Sequence, residues 1–196
     1  MNGADARSAR MTDGRDLRLD VTLGPMEIRL AVPTDALAVA RLHVRSWQAA
    51  YRNLLPADYL NGLRPEERAQ RYEFGRDDPS KPTTIVAVDA AVVVGFSTVA
   101  PARDTDVQRY GELCALHVDP DRLGEGIGLA LMTKAYDALR MSGFRDALLW
   151  VLMGNERAAG FYRRHGWSAD GAHRRAAVWG IEISEIRFRR PLPAAG

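Results

Sequence analysis

Apolar and polar residues recur with two different periods along this chain, and the switches between them mark out its elements. Glu27-Ile28-Arg29-Leu30-Ala31-Val32 alternates residue by residue, as a strand with one buried face does. Pro33, Thr34 and Asp35 then give a helix-start signal ahead of an amphipathic run over residues 36–47. Pro56 and Pro65 occupy first-turn positions before short predicted helices at 57–60 and 66–74. The β-branched runs 83–88 and 92–99, split by Asp89-Ala90-Ala91, predict a hairpin, and 112–118 reads as the next strand. Residues 127–142 return to helical spacing, with Ile127, Leu131, Ala135 and Leu139 on one face and Gly143 at the end, and 147–152 is strand-like. Near the C-terminus Ile181 and Ile183 keep one alternation phase and Ile186 and Phe188 the other, which predicts a β-bulge near Ser184-Glu185. The expected architecture is α/β (α+β): one mixed central sheet of six to seven strands with about four helices, over residues 26–192.

The segment between strand 112–118 and helix 127–142 carries the clearest chemistry. Gly124, Gly126 and Gly128 alternate at the mouth of the helix, where glycines let the backbone turn tightly and approach a ligand. The unpaired amides at the positive end of the helix dipole make this an anion site. A P-loop is excluded because no spacing of these glycines is followed by Gly-Lys-Ser or Gly-Lys-Thr. A dinucleotide fingerprint fits poorly, since Leu129 and Leu131 stand where its last glycine or alanine belongs. What remains is a loop whose amides from Leu123 through Glu125 and Ile127 to Leu129 wrap a pyrophosphate, or a glycine-rich turn that merely caps a helix.

Composition narrows the possibilities. A chain of 196 residues with 46% hydrophobic content suits one domain. The near balance of 27 basic against 25 acidic residues gives no basic stripe for nucleic acid. Arg187, Arg189 and Arg190, set around Phe188, read as a solvated strand edge. Cys114 is the single cysteine, and the four histidines have no ligand spacing, so neither a disulfide nor a metal site is expected and a reducing cytoplasm fits. No run of about 18 apolar residues suggests a membrane span. Residues 1–25 lack apolar periodicity and read as a mobile tail.

Downstream of the glycine loop, Asn155-Glu156-Arg157-Ala158-Ala159-Gly160-Phe161-Tyr162-Arg163-Arg164-His165-Gly166-Trp167 resembles the N-x-x-A-x-x-F-Y-x-x-x-G-F/W motif of the GNAT superfamily of N-acetyltransferases. The loop itself is similar to that family's Q/R-x-x-G-x-G/A loop for the pyrophosphate of acetyl-coenzyme A (acetyl-CoA), with the two motifs in the family's order and spacing. Together they cover residues 110–167; Leu123 departs from the pattern, standing where Gln or Arg is usual, with Arg122 beside it. The resemblance implies a strand pair that splays at the cofactor site, where the backbone of Leu116, His117 and Val118 binds the pantetheine arm and thioester carbonyl. It implies that Asn155, Ala158, Phe161 and Tyr162 border the cofactor, with no metal.

By the same resemblance the Tyr162 phenol could protonate the departing thiolate; the alternative is a core tyrosine with its hydroxyl hydrogen-bonded. Asn155 could cap the following helix as well as reach the cofactor. Glu112 is the candidate base, placed by period two on the face of Cys114 and Leu116, with an exposed strand-start carboxylate as the alternative. His117 then faces the other way and its side chain is assigned no chemistry, while Cys114 reads as a small buried residue. Trp47 and Tyr51, with Leu54 and Leu55, belong to the segment expected to wall the acceptor. The expected activity is direct acetyl transfer to a primary amine of a small molecule, peptide or protein, with a homodimer compatible with the family; a non-catalytic acyl-CoA sensor is the alternative.

Overall fold

The computed structural model describes residues 26–75, 78 and 81–192. Residues 1–25, read above as a tail, lie outside the described residues. The first strand β1 (Glu27–Leu30) leads through a 3-10 turn at Pro33–Asp35 into α1 (Ala36–Ala50). Asp35 fixes this entry: its carboxylate accepts from the Val32 amide at 2.8 Å and pairs with Arg29 at 2.7 Å. The Arg29 guanidinium beside it outweighs burial and holds the Asp35 carboxyl below its ordinary value.

Two short helices follow, α2 (Ala57–Gly62) and α3 (Pro65–Ala69), so the second stops well before the expected residue 74. Then come β2 (Thr83–Asp89), β3 (Val92–Pro101), β4 (Tyr110–Val118), α4 (Ile127–Met141), β5 (Asp146–Leu152), α5 (Glu156–Arg164), β6 (Ser168–Val178) and β7 (Ile181–Pro191). The β2–β3 hairpin turns on Ala90 and Ala91, both left-handed at φ 46° and 65°. Among the described residues the helices number five rather than about four, and the strands form one seven-stranded sheet in the order β1-β2-β3-β4-β5-β7-β6.

Every pairing is antiparallel except β4–β5, which is parallel and ends early. Its ladder runs only from Tyr110↔Asp146 to Glu112↔Leu148, and beyond that the strands part. α4 and α5 cover one face, where Met132, Ala135, Leu139, Leu149, Trp167 and Phe188 share a core. α1 covers the other over Val39, Leu42, Val86 and Phe96. The split between β4 and β5 therefore joins the two sides of the sheet.

Two alternation phases differ from those expected. No bulge interrupts β7, whose register with β5 runs unbroken from Pro191 to Glu185. Instead Ile183, Glu185 and Arg187 all lie buried while Ile186 and Phe188 pack on the opposite core, so the apparent slip reflects charged residues on a buried face. The bulge lies in β6, between Ala169 and His173 around Gly171.

The second difference is in β4. Thr98 pairs with Ala115 and Val99 with Leu113, which leaves Cys114 as the extra residue of a bulge. Leu113 and Leu116, three apart, consequently both reach the α4 side, whereas Ala115 packs on the α1 side. Glu112, next to a Gly111 whose added Cβ would meet Leu139 at 2.5 Å, takes the α1 side. Glu112 thus shares a face with His117 and not with Leu116, the reverse of the period-two expectation.

Candidate active site

One cavity of about 950 Å³ passes through the β4–β5 split. At its α4 end are Leu123, Gly124, Gly126, Ile127, Gly128 and Leu129. Gly124 and Gly126 are left-handed at φ 90° and 82°, and an added Cβ at either would meet nothing within 4 Å. Glycine is needed here for the conformation, not for want of room. The first main-chain bond of α4 runs from the Ala130 amide to the Gly126 carbonyl, so Ile127, Gly128 and Leu129 amides have no intrahelical acceptor and are open to an anion.

Ion pairs brace the loop from behind. Asp119, whose carboxylate accepts from the Asp121 amide at 3.0 Å, pairs with Arg45 of α1 at 2.9 Å. Arg122 binds Asp89 at 3.0 Å and Glu125 at 2.6 Å. Glu125 therefore belongs to the brace and is not a lining residue, and Arg122, beside the variant Leu123, is occupied by protein carboxylates.

Across the split α5 supplies the second wall. Its N-cap is Asn155, whose side chain accepts from the Ala158 amide at 3.2 Å. Phe161 lies against the glycine loop, 3.5 Å from where a Gly128 Cβ would stand, with Val118 Cγ2 at 3.6 Å. Leu116, His117 and Val118 line the gap from β4, and Asn155, Ala158, Phe161 and Tyr162 from α5. Tyr162 is buried among core residues, yet its ring also borders the cavity. Among the described residues none hydrogen-bonds its hydroxyl, so a satisfied core tyrosine is not what the geometry presents. Burial, with Tyr51 and Tyr136 nearby, pushes its phenol far up and keeps it protonated.

On the α1 side the wall is aromatic. Trp47 and Tyr51 line it, with ring centroids 5.0 Å apart, and Leu55 joins them while Leu54 lies 2.9 Å from a notional Gly154 Cβ. Burial pushes the Tyr51 phenol up to about 12 against a counteracting contact with Asn155. Trp179, at the tip of the β6–β7 hairpin, stacks on Trp47 at 4.3 Å. Its φ of 53° is costly for so bulky a side chain and turns the hairpin tip with Gly180.

His117, reoriented by the Cys114 bulge, bonds Ser46 through Nδ1 at 2.8 Å and lies 4.3 Å from His43, which bonds Tyr72 at 2.8 Å. Burial, helped by the Arg68 charge, drops His117 to about 3, so both imidazoles are neutral. Glu112 stands beside this wall without lining the cavity. Burial raises its carboxyl against the charges of Arg174 and Arg103. Glu185 does line the cavity, buried and paired with Arg174 at 2.7 Å. Cys114 is exposed to the cavity but deep within it, and desolvation pushes its thiol up to about 12, which disqualifies it as a nucleophile at neutral pH.

His43, Arg68, Trp179 and Glu185 are among the cavity residues that sequence reasoning missed. Only Trp179-Gly180, a turn dipeptide between alternating runs, left a local trace. Among the described residues no group of three His, Cys, Asp or Glu side chains could hold a metal, and no helix is long and apolar enough to cross a membrane.

Comparison with known proteins agrees with this geometry. A sequence profile of the Acetyltransferase (GNAT) family matches residues 47–167. An uncharacterized N-acetyltransferase, YuaI of Bacillus subtilis, is 28% identical over 83% of this chain and 88% of its own. The PaiA N-acetyltransferase of Thermoplasma acidophilum, solved in complex with coenzyme A, superposes with a TM-score of 0.62 at 17% identity, over 85% of this chain and 98% of its own. YncA of Salmonella typhimurium, a putative acetyltransferase solved with acetyl-CoA, gives 0.64 at 16% identity, over 88% and 97%. The chain belongs to the Acetyltransferase (GNAT) family, and with it to the N-acetyltransferases that take acetyl-CoA as donor. The residues present fit that donor: left-handed glycines, acceptor-free helix amides and a strand pair parted beside them.

Proposed function

We propose that the protein, through a catalytic domain spanning residues 26–192, transfers the acetyl group directly to a primary amine held on the α1 side of the sheet. The observation that carries this reading is the single cavity that runs from the glycine loop through the split to the aromatic wall. It lets both substrates meet at β4 without a protein nucleophile, for which the Cys114 thiol, up at about 12, is unsuited.

Acetyl-CoA supplies the activated acyl group. The amides from Leu123 to Leu129 hold its pyrophosphate, and the unpaired backbone of Leu116 to Val118 orients the thioester arm. Glu112, its carboxyl raised by burial, takes the proton of the arriving ammonium through water, since it does not itself line the cavity as the nearby Glu185 does. Tyr162 holds a phenolic proton at the leaving-group side. A sensor that only bound acyl-CoA would need neither carboxylate at the acceptor wall. The lone cysteine, free of any disulfide, supports a cytoplasmic setting.

The test is release of coenzyme A thiol from acetyl-CoA and succinyl-CoA across a panel of small amines and N-terminal and lysine peptides. Amine-dependent release with acetyl-CoA is the expected result. Binding of acetyl-CoA without release for any amine would overturn the enzymatic reading in favour of the sensor.

A further inference from the structure

Of the arginines that shape this side of the molecule, Arg29, Arg45, Arg122, Arg174 and Arg187 are each paired with a carboxylate. Arg68, half-buried at the end of α3 and lining the cavity, has none within ion-pair distance among the described residues. Arg71, Arg103, Arg157 and Arg164 also line the cavity with no carboxylate in ion-pair distance among the described residues, but they are exposed, whereas Arg68 is half-buried and held between aromatic rings. Its guanidinium lies 4.6 Å from the Trp179 ring centroid and 5.1 Å from that of Tyr72, and its Nε reaches Tyr72 Oη at 3.4 Å. Stacking of this kind fixes the plane of the fork and leaves the terminal N–H groups free for an acceptor with two oxygens.

A second observation points the same way. The indole N–H groups of Trp47 and Trp150 are buried with no hydrogen-bond partner, and both side chains line this cavity. Buried donors without acceptors are uncommon in folded proteins and call for a missing partner. The walls of the acceptor half thus hold two donors without partners, closed off from solvent themselves. Its one buried carboxylate, Glu185, stands on β7 and is engaged by Arg174. An ammonium is favoured toward Glu185 and Glu112 and repelled from Arg68, so the wall is polarised.

We propose that the amine acceptor also carries an anionic oxygen group, a carboxylate or a phosphonate, which Arg68 receives in a bidentate pair against the Trp179–Trp47 stack. This rests on the N-acetyltransferase reading above. Trp179, held in its left-handed conformation at the hairpin tip, serves as the plate that keeps Arg68 pointed inward. The fork geometry suits a planar carboxylate or two phosphonate oxygens alike.

The experiment uses the full chain and matched compounds: an amino acid, the aminoalkylphosphonate of equal length, and the methyl ester of each. Coenzyme A release gives kcat/KM, and tryptophan fluorescence gives binding of each compound to the protein with coenzyme A present. The parent is expected to prefer one or both anionic compounds over their esters by at least tenfold, and the arm with the larger preference identifies the anion. Arg68→Gln should collapse that ratio to near one, mainly through KM, and Arg68→Lys should restore part of it. Esters turned over as well as acids by the parent, or a ratio unmoved in Arg68→Gln, would overturn the proposal while leaving the acetyltransferase intact. No turnover of any compound, with Arg68-dependent binding of the acids, would instead sink the enzymatic reading and support the anion site. No turnover and no Arg68-dependent binding would overturn both.

Discussion

The two ends of the cavity are built from different materials. At the α4 end the groups proposed to hold the donor are backbone amides, placed by Gly124 and Gly126 in left-handed conformations and by the start of one helix. At the α1 end they are side chains brought from α1, α3, β4 and the β6–β7 hairpin: Trp47, Arg68, His117 and Trp179. A backbone site has few solutions and tolerates change in every side chain that does not block the amides. A side-chain site can be remade one residue at a time, and that freedom is what lets one fold serve many acceptors.

The largest test of this contrast is at Gly128. An added Cβ there makes ordinary contacts with Phe161 and Val118, so Gly128→Ala should be tolerated. The further methyls of Gly128→Val intrude on the amide face, and we expect acetyl-CoA affinity to fall by about a hundredfold or more, about 2.7 kcal/mol, in a protein that still folds. Calorimetry reads the affinity and thermal melting checks the fold. Unchanged affinity in the folded valine variant would remove the loop from the donor site.

Tyr162 comes next, as the residue proposed to serve the transfer step. Losing its phenolic proton in Tyr162→Phe should reduce turnover by about a hundredfold with little change in donor affinity. A loss of melting temperature matching the loss of turnover would return Tyr162 to the core it shares with Trp167 and Met132.

The same contrast governs what could be read before folding. Strand and helix periods, Pro33-Thr34-Asp35 and the glycine loop are local patterns, and they located the sheet, α1, α4 and the loop of the proposed donor end. The acceptor end depended on register. One bulge at Cys114 exchanged the faces of Leu116 and His117 relative to Glu112, and nothing within residues 112–118 announces it. The charged face of β7 imitated a bulge because Glu185 and Arg187 are buried against partners from distant segments: Arg174 of β6 for the first, and Asp104, Asp106 and Asp170 for the second. Arg68 shows no pattern in its own short helix; its meaning comes from Trp179, more than a hundred residues later.

A smaller effect separates a proton acceptor from a positioning group at the acceptor end. A lysine-like amine with pKa of about 10.4 costs roughly 4–5 kcal/mol to deprotonate at neutral pH, and an α-amine near 7.8 only about 1. We expect Glu112→Gln to slow acetylation of the first class by about tenfold and of the second by less than threefold, the deficit shrinking as pH rises. Turnover against pH for both classes, parent beside mutant, is the measurement. A uniform, pH-independent loss would mean that Glu112 only holds the strand or the substrate.

The least effect concerns stability, and it too should come from the acceptor end. Burial depresses both His43 and His117, the second to about 3, whereas an unfolded histidine titrates near 6.5. A depressed group gives stability that is complete above the unfolded pKa and is lost as pH falls toward the folded one. Between about pH 6.5 and 4.5 these two histidines bind more protons in the unfolded chain than in the folded one, while Glu112, raised by burial, contributes in the opposite direction. Stability should decline there by at most about 1.4 kcal/mol per pH unit for each histidine. Replacing His43 by Gln keeps a polar partner for Tyr72 without a titrating ring, so it should roughly halve the slope. Urea unfolding at half-unit pH steps reads that slope for parent and variant. Equal slopes would show that the aromatic wall opens to water before the molecule unfolds, and the acceptor end would then be the more pliable half of the site.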